Sequence, residues 1–202
     1  MKRRNIVGVV LVILVVVVVG AGLAIAGMGP WATPLTLVVG DSVTNLSRVE
    51  IEATTGARVD AQNGYTWAEM APKVRGSLAV MKSERGVPER VGVLLGYNDV
   101  LTDRQDLEAT RTVLEEFSDV PCVVVLTLPK LWNRDAAGYN AEVRAIVDDL
   151  PNTSTDDGWA RFVNDNLDNG AALLEADLVH PKPGAARQAV ADSYQQAFDR
   201  HC

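Results

Sequence analysis

An α/β fold, a parallel sheet with helices on both faces, is the fold class this chain predicts, and three observations predict it. Four short apolar runs recur at Leu35–Val39, Ala57–Ala61, Val91–Leu95 and Cys122–Thr127. Runs this short and this continuous suit strands buried on both faces, the condition of a parallel sheet. Between them lie longer stretches whose apolar residues recur at helical spacing, so strands and helices alternate along the chain. The first and third runs end at Gly40 and Gly96, and polar residues able to do chemistry stand just beyond both.

The elements follow in order. Lys2, Arg3 and Arg4 precede an uncharged Val/Leu/Ile/Gly/Ala run from Ile6 to Ala26, and no basic residue follows until Arg48. A run of about 20 apolar residues is long enough to cross a bilayer as a helix. The basic residues before it keep the N-terminus cytoplasmic and place the rest outside. Residues 1–26 therefore read as a signal anchor, a transmembrane helix. Ala24-Ile25-Ala26 offers the alternative of a cleaved signal peptide, although the run exceeds a normal h-region. Residues 27–34 (GMGPWATP) form a Gly/Pro-rich linker, and residues 35–202 form one domain.

Within that domain Leu35–Val39 is the first strand and Ala57–Ala61 a weaker second. Trp67–Glu84 reads as a helix despite Pro72 and Gly76. Val91–Leu95 is the third strand. Leu107, Val113, Leu114 and Phe117 mark one face of a helix from about Asp103 to Ser118, with acidic residues in its first turn. Cys122–Thr127 is the fourth strand, and Tyr139–Leu150 a helix with Val143, Ile146, Val147 and Leu150 inward. A fifth strand belongs within Asn152–Asp165 if the alternation continues, but that stretch offers little apolar material. Ala185–Arg200 closes the chain as a helix entered through Pro181-Lys182-Pro183-Gly184.

Bulk properties exclude some functions. The net charge is -7, with 26 acidic residues against 19 basic, three of them in the N-terminal cluster. An acidic body argues against nucleic acid or anionic lipid surfaces as partners. Two histidines and two cysteines, without a CxxC spacing, leave no metal site to expect, and no cofactor motif occurs. Cys122 starts the fourth strand, and the last helix runs back toward that end to finish at Cys202. A Cys122–Cys202 disulfide in an oxidising compartment is the expectation.

The motifs carry the chemistry. In α/β sheets ligands bind at the carboxyl ends of the strands, where Ser42 (after strand one) and Asn98 (after strand three) fall. Ser42 lies in Gly40-Asp41-Ser42, at a turn from strand to helix, and either caps that helix or serves as a nucleophile. The elbow G-x-S-x-G does not occur, which argues against an α/β-hydrolase fold. His180 is the one histidine outside the C-terminal dipeptide. Imidazole suits taking a proton from a hydroxyl and returning it to a leaving group, though a loop histidine packed on Pro181 would look the same. Asp177, three residues earlier, can fix the ring's tautomer or cap a turn. Gly64 and Asn98 offer a backbone N–H and a side-chain amide for an oxyanion hole, or serve as turn residues.

Gly40-Asp41-Ser42, Gly64 in its Asn-Gly turn, Gly96-Tyr97-Asn98-Asp99 and Asp177-Leu178-Val179-His180 occur in that order. In this the chain resembles the SGNH/GDSL hydrolase family, whose blocks contribute Ser, Gly, Asn and His. The resemblance spans Leu35 to the C-terminus. It implies a three-layer α/β/α sandwich of flavodoxin-like type, a catalytic set of Ser42, Asp177 and His180, and an oxyanion hole from the Ser42 and Gly64 amides and the Asn98 side chain.

The expected activity is that of an exported serine esterase removing a short acyl group, such as acetyl, from a small-molecule or carbohydrate ester. The alternatives are an O-acyltransferase acting on an envelope carbohydrate and a non-catalytic carbohydrate-binding descendant. Tyr65, Tyr97 and Trp132 are candidate walls of the substrate pocket. A retained anchor joined by eight residues, a reach of about 28 Å, would hold the lower end of the sheet toward the bilayer and the site away from it.

Overall fold

The computed structural model of the protein describes residues 35–132, 134–166 and 173–202. The expected transmembrane helix and linker lie outside the described residues. Among the described residues no helix is long and apolar enough to cross a membrane.

A five-stranded sheet forms the centre. Its strands are β1 (Thr36–Gly40), β2 (Arg58–Ala61), β3 (Arg90–Leu94), β4 (Cys122–Leu126) and β5 (Thr153–Asp156). They lie in the order β2-β1-β3-β4-β5, and every pairing is parallel. The register sets Gly40 opposite both Ala61 and Leu94, so the first three strands end level and the turns after them form one rim. Leu37, Val38, Val39, Val91 and Val93 have no exposed surface. Both faces of the central strands are thus covered, which is why their sequences are continuously apolar rather than alternating.

Of three further helices, α2 (Arg48–Thr55), α7 (Gly158–Asp165) and α8 (Ala185–His201), the last packs against both others. Another group consists of α3 (Trp67–Glu84), α5 (Leu107–Glu115) and α6 (Ala136–Asp148), with α5 touching both others. Two five-residue helices, α1 (Ser42–Leu46) and α4 (Tyr97–Leu101), follow β1 and β3 directly. The protein is an α/β/α sandwich with a parallel sheet, the expected class.

Helix α3 occupies the predicted residues. It starts in a capping box: Thr66 accepts from the Glu69 N–H, and the Glu69 carboxylate accepts from the Thr66 N–H at 2.8 Å. Trp67, Met70, Val74, Leu78 and Met81 form its buried stripe. Pro72 is exposed and leaves the helix continuous. Helix α5 is shorter than the predicted Asp103–Ser118. Asp103 adopts a left-handed φ of 53°, and Asp106 caps the helix by accepting from the Ala109 N–H. Past Glu115 the chain continues in i→i+3 turns.

Strand β5 (Thr-Ser-Thr-Asp) is polar because it is the sheet edge, with a single partner and three half-buried residues. Its last residue, Asp156, is buried. It accepts two hydrogen bonds from the Arg200 guanidinium at 2.9 and 2.8 Å, and lies 3.0 Å from the His201 ring. Cys122 and Cys202 are joined in a disulfide with Cα atoms 5.7 Å apart. Together these contacts fasten the last turn of α8 to the sheet.

Candidate active site

The site begins with how Ser42 is presented. Asp41, at the end of β1, accepts from the Val43 N–H at 3.1 Å and so caps α1 in front of Ser42. Behind it the backbone must come very close to α1. A Cβ on Gly40 would stand 2.0 Å from Thr44 Oγ1 and 2.9 Å from the Leu94 carbonyl oxygen. Only glycine allows that approach, and it lets the chain turn Ser42 up at the carboxyl edge of the sheet.

The loop bearing the histidine is a closed finger. Leu174 and Pro181 form an antiparallel bridge, and the Glu175 N–H donates to the His180 carbonyl at 2.8 Å. Leu178 adopts a φ of 58°, a left-handed turn that brings His180 back beside Asp177. Asp177 Oδ1 accepts from the backbone N–H groups of Val179 (2.9 Å) and His180 (3.1 Å). Asp177 Oδ2 lies 2.6 Å from His180 Nδ1, and His180 Nε2 lies 2.8 Å from Ser42 Oγ.

Protonation follows from those partners. Burial raises the Asp177 carboxyl, but hydrogen bonds from the His180 ring and the two backbone N–H groups outweigh it and hold the acid below its usual range. An ionised Asp177 accepts from Nδ1–H, which leaves the Nε2 lone pair facing the Ser42 hydroxyl. That arrangement can take a proton from Oγ as it attacks an electrophile.

The expected oxyanion groups stand on two neighbouring turns. Gly64 is exposed in the turn after β2 with a φ of 78°, a backbone conformation that glycine adopts without steric cost. Asn98 is half-buried at the start of α4, and its amide donates to the Tyr65 carbonyl at 3.0 Å. The amide has a second N–H, so one bond to the protein leaves one donor. Asn45 Nδ2 donates to Asn63 Oδ1 at 2.9 Å and ties the turn before Gly64 to the Ser42 helix. Neither Asn45 nor Asn63 stands out in the sequence, because the bond is fixed by tertiary placement.

The aromatic residues divide. Tyr97 is a correction: it is 1% exposed, and its hydroxyl accepts from Trp159 Nε1 at 2.7 Å, so it belongs to the core and walls no pocket. Burial raises its phenol well above the usual range, so it stays neutral. Trp67 is likewise buried and donates to Tyr139 Oη at 2.8 Å. Tyr65 is half-buried, with Lys73 Nζ 5.6 Å from its ring centre. Trp132, in the segment after β4, is 77% exposed.

Fold and geometry define a class: an α/β/α sandwich carrying a Ser–His–Asp relay at the carboxyl edge of a parallel sheet. No protein-family model and no curated protein matches the sequence. Solved structures are similar. The C-terminal catalytic domain of Streptococcus pneumoniae peptidoglycan O-acetyltransferase A superposes with a TM-score of 0.65 at 15% identity, over 84% of this chain and 94% of that one. A GDSL-like lipase from Bacteroides thetaiotaomicron gives 0.61 at 16% identity, over 84% and 90%. A family 3 carbohydrate esterase from Clostridium thermocellum gives 0.60 at 16% identity, over 83% and 96%. The fold of the described residues is that of the SGNH/GDSL hydrolases.

Proposed function

We propose that the protein is a serine esterase of the SGNH/GDSL type that removes a short acyl group from a small or carbohydrate ester outside the cell. The observation that carries this reading is the continuous relay from Ser42 Oγ through His180 to Asp177, at 2.8 and 2.6 Å. Ser42 attacks the ester carbonyl as its proton passes to His180 Nε2. The oxyanion that forms is held by the Ser42 and Gly64 backbone N–H groups and the free Asn98 N–H. His180 returns the proton to the leaving alcohol, and a water activated by the same nitrogen cleaves the acyl-enzyme.

Hydrolysis is favoured by access. His180 and Asp177 keep 32% and 49% of their side chains exposed, so water reaches the relay. A carbohydrate ester is favoured by Trp132, whose open indole face suits the apolar face of a sugar ring. The resemblance to an O-acetyltransferase catalytic domain supports a second reading, in which a sugar hydroxyl replaces the water. Export rests on the N-terminal sequence, with residues 1–26 anchoring the domain in the cell membrane, and on a disulfide that suits an oxidising compartment.

The test is a panel of aryl esters of graded acyl length, run beside O-acetylated glycans, for the wild type and Ser42→Ala. The expected result is turnover of the shortest esters, lost with Ser42→Ala. Hydrolysis by Ser42→Ala at the wild-type rate would remove the assignment. Acyl transfer that appears only with a sugar acceptor would select the second reading.

A further inference from the structure

Next to Ser42 in the chain stands a carboxyl group that takes no part in the proposed reaction. Asp41 has no exposed surface, and its Oδ2 meets no hydrogen-bond partner. Its Oδ1 accepts from Val43 on the Ser42 helix, and the backbone N–H of Tyr97, at the start of the Asn98 helix, also faces the carboxyl. One side chain thus touches both turns that supply the oxyanion donors.

What surrounds Asp41 offers a negative charge little support. The neighbouring acid is Asp99 on α4, buried as well, with only long contacts of 3.3 and 3.4 Å from the Trp67 N–H. The other titratable groups that act with Asp41 are three buried phenols: Tyr97 on α4, Tyr139 on α6 and Tyr194 on α8. Tyr97 Oη already accepts from Trp159, Tyr139 Oη from Trp67, and Tyr194 Oη lies 3.0 Å from Thr44 Oγ1. A carboxylate here would be sealed from water with one oxygen bare, a far more costly state than a neutral acid.

We propose that Asp41 is a positioning residue that works as an uncharged carboxylic acid, fixing the Ser42 turn against the Asn98 turn, and that its ionisation opposes the oxyanion formed beside it. The proposal rests on the reading of Ser42 as nucleophile. Burial first, and then the Asp99 carboxyl, push the acid up to about 7, against the pull of the Val43 and Tyr97 N–H groups. The proton therefore leaves to solvent within the working range of a serine hydrolase.

The test measures kcat/KM for p-nitrophenyl acetate between pH 5.5 and 8.5 in the full chain, for wild type, Asp41→Asn, Asp41→Ala and Ser42→Ala. The amide of Asn copies a neutral acid, with an oxygen for Val43 and an N–H in place of O–H. Dividing the Asp41→Asn rate by the wild-type rate cancels every pH dependence that the two proteins share. That ratio is expected within about twofold at pH 5.5 and to rise to about tenfold by pH 8. Asp41→Ala, with nothing to accept from Val43, is expected to be slow at every pH.

Thermal melting supplies a second readout. A folded-state pKa above the unfolded value favours folding below about pH 4, and that advantage is lost as the pH rises through about 7. Asp41→Asn should therefore gain in Tm relative to wild type between pH 5 and pH 8. A flat activity ratio, or Asp41→Asn as inactive as Ser42→Ala while melting cooperatively, overturns the proposal. If Asp41→Asn does not fold, infrared spectra of the wild type decide: a buried carboxylic-acid carbonyl band at pH 6.5 supports the proposal and its absence overturns it. Turnover by Ser42→Ala would refute the nucleophile instead, and the melting comparison would still report the charge of Asp41.

Discussion

Asn98 commits one amide hydrogen to the Tyr65 carbonyl beside the Gly64 turn, and in the function we propose its other amide hydrogen binds the substrate oxyanion. Asn98→Ala is expected to lower kcat by about 10²–10³-fold with little change in KM, because the lost donor acts on charge that develops only in the transition state. Steady-state kinetics on an aryl acetate check this. The residues of the relay were legible in the sequence, since Ser42, Asp177 and His180 sit in short ordered motifs. Tyr97 was not. Its position beside Asn98 suggests a pocket wall, but its partner Trp159 is 62 positions away, and nothing local reveals that bond.

At the scale of elements, apolar run length was the reliable signal. Strands β1, β3 and β4 are buried on both faces, so their sequences announce them to within a residue or two. Strand β5 has no such signal, because an edge strand with one partner is held by its backbone ladder and by the clasp of Arg200 and His201 on Asp156. Helix α7 buries Trp159, Ala160 and Val163 on one face, but eight residues give too short a pattern to separate from the loop before it. The disulfide acts at this scale too, closing a loop of 80 residues between β4 and the end of α8. Replacing both cysteines by alanine is expected to cost about 2–4 kcal/mol of stability, read from urea unfolding. The relay stands at the opposite end of the sheet, so kcat at a temperature where the variant stays folded should be unchanged.

For the molecule as a whole, the carboxyl edge of the sheet is where everything meets. β1, β2 and β3 end level, the turns after them carry Ser42, Gly64 and Asn98, and the finger before α8 delivers His180 from 138 positions away. The alternation of strands and helices predicts that edge as the binding end, and the spacing of motifs predicts which residues reach it. The exact closure of the finger, through Leu178 and the Leu174–Pro181 bridge, comes from the folded loop alone.

The central claim is that His180 activates Ser42. The most direct measurement is the rate at which a fluorophosphonate modifies the folded protein, with the modified residue identified by mass spectrometry. The expected result is a single adduct on Ser42, formed at least about 100-fold more slowly in His180→Ala. An adduct elsewhere, or one formed on Ser42 equally fast without the imidazole, would contradict the account.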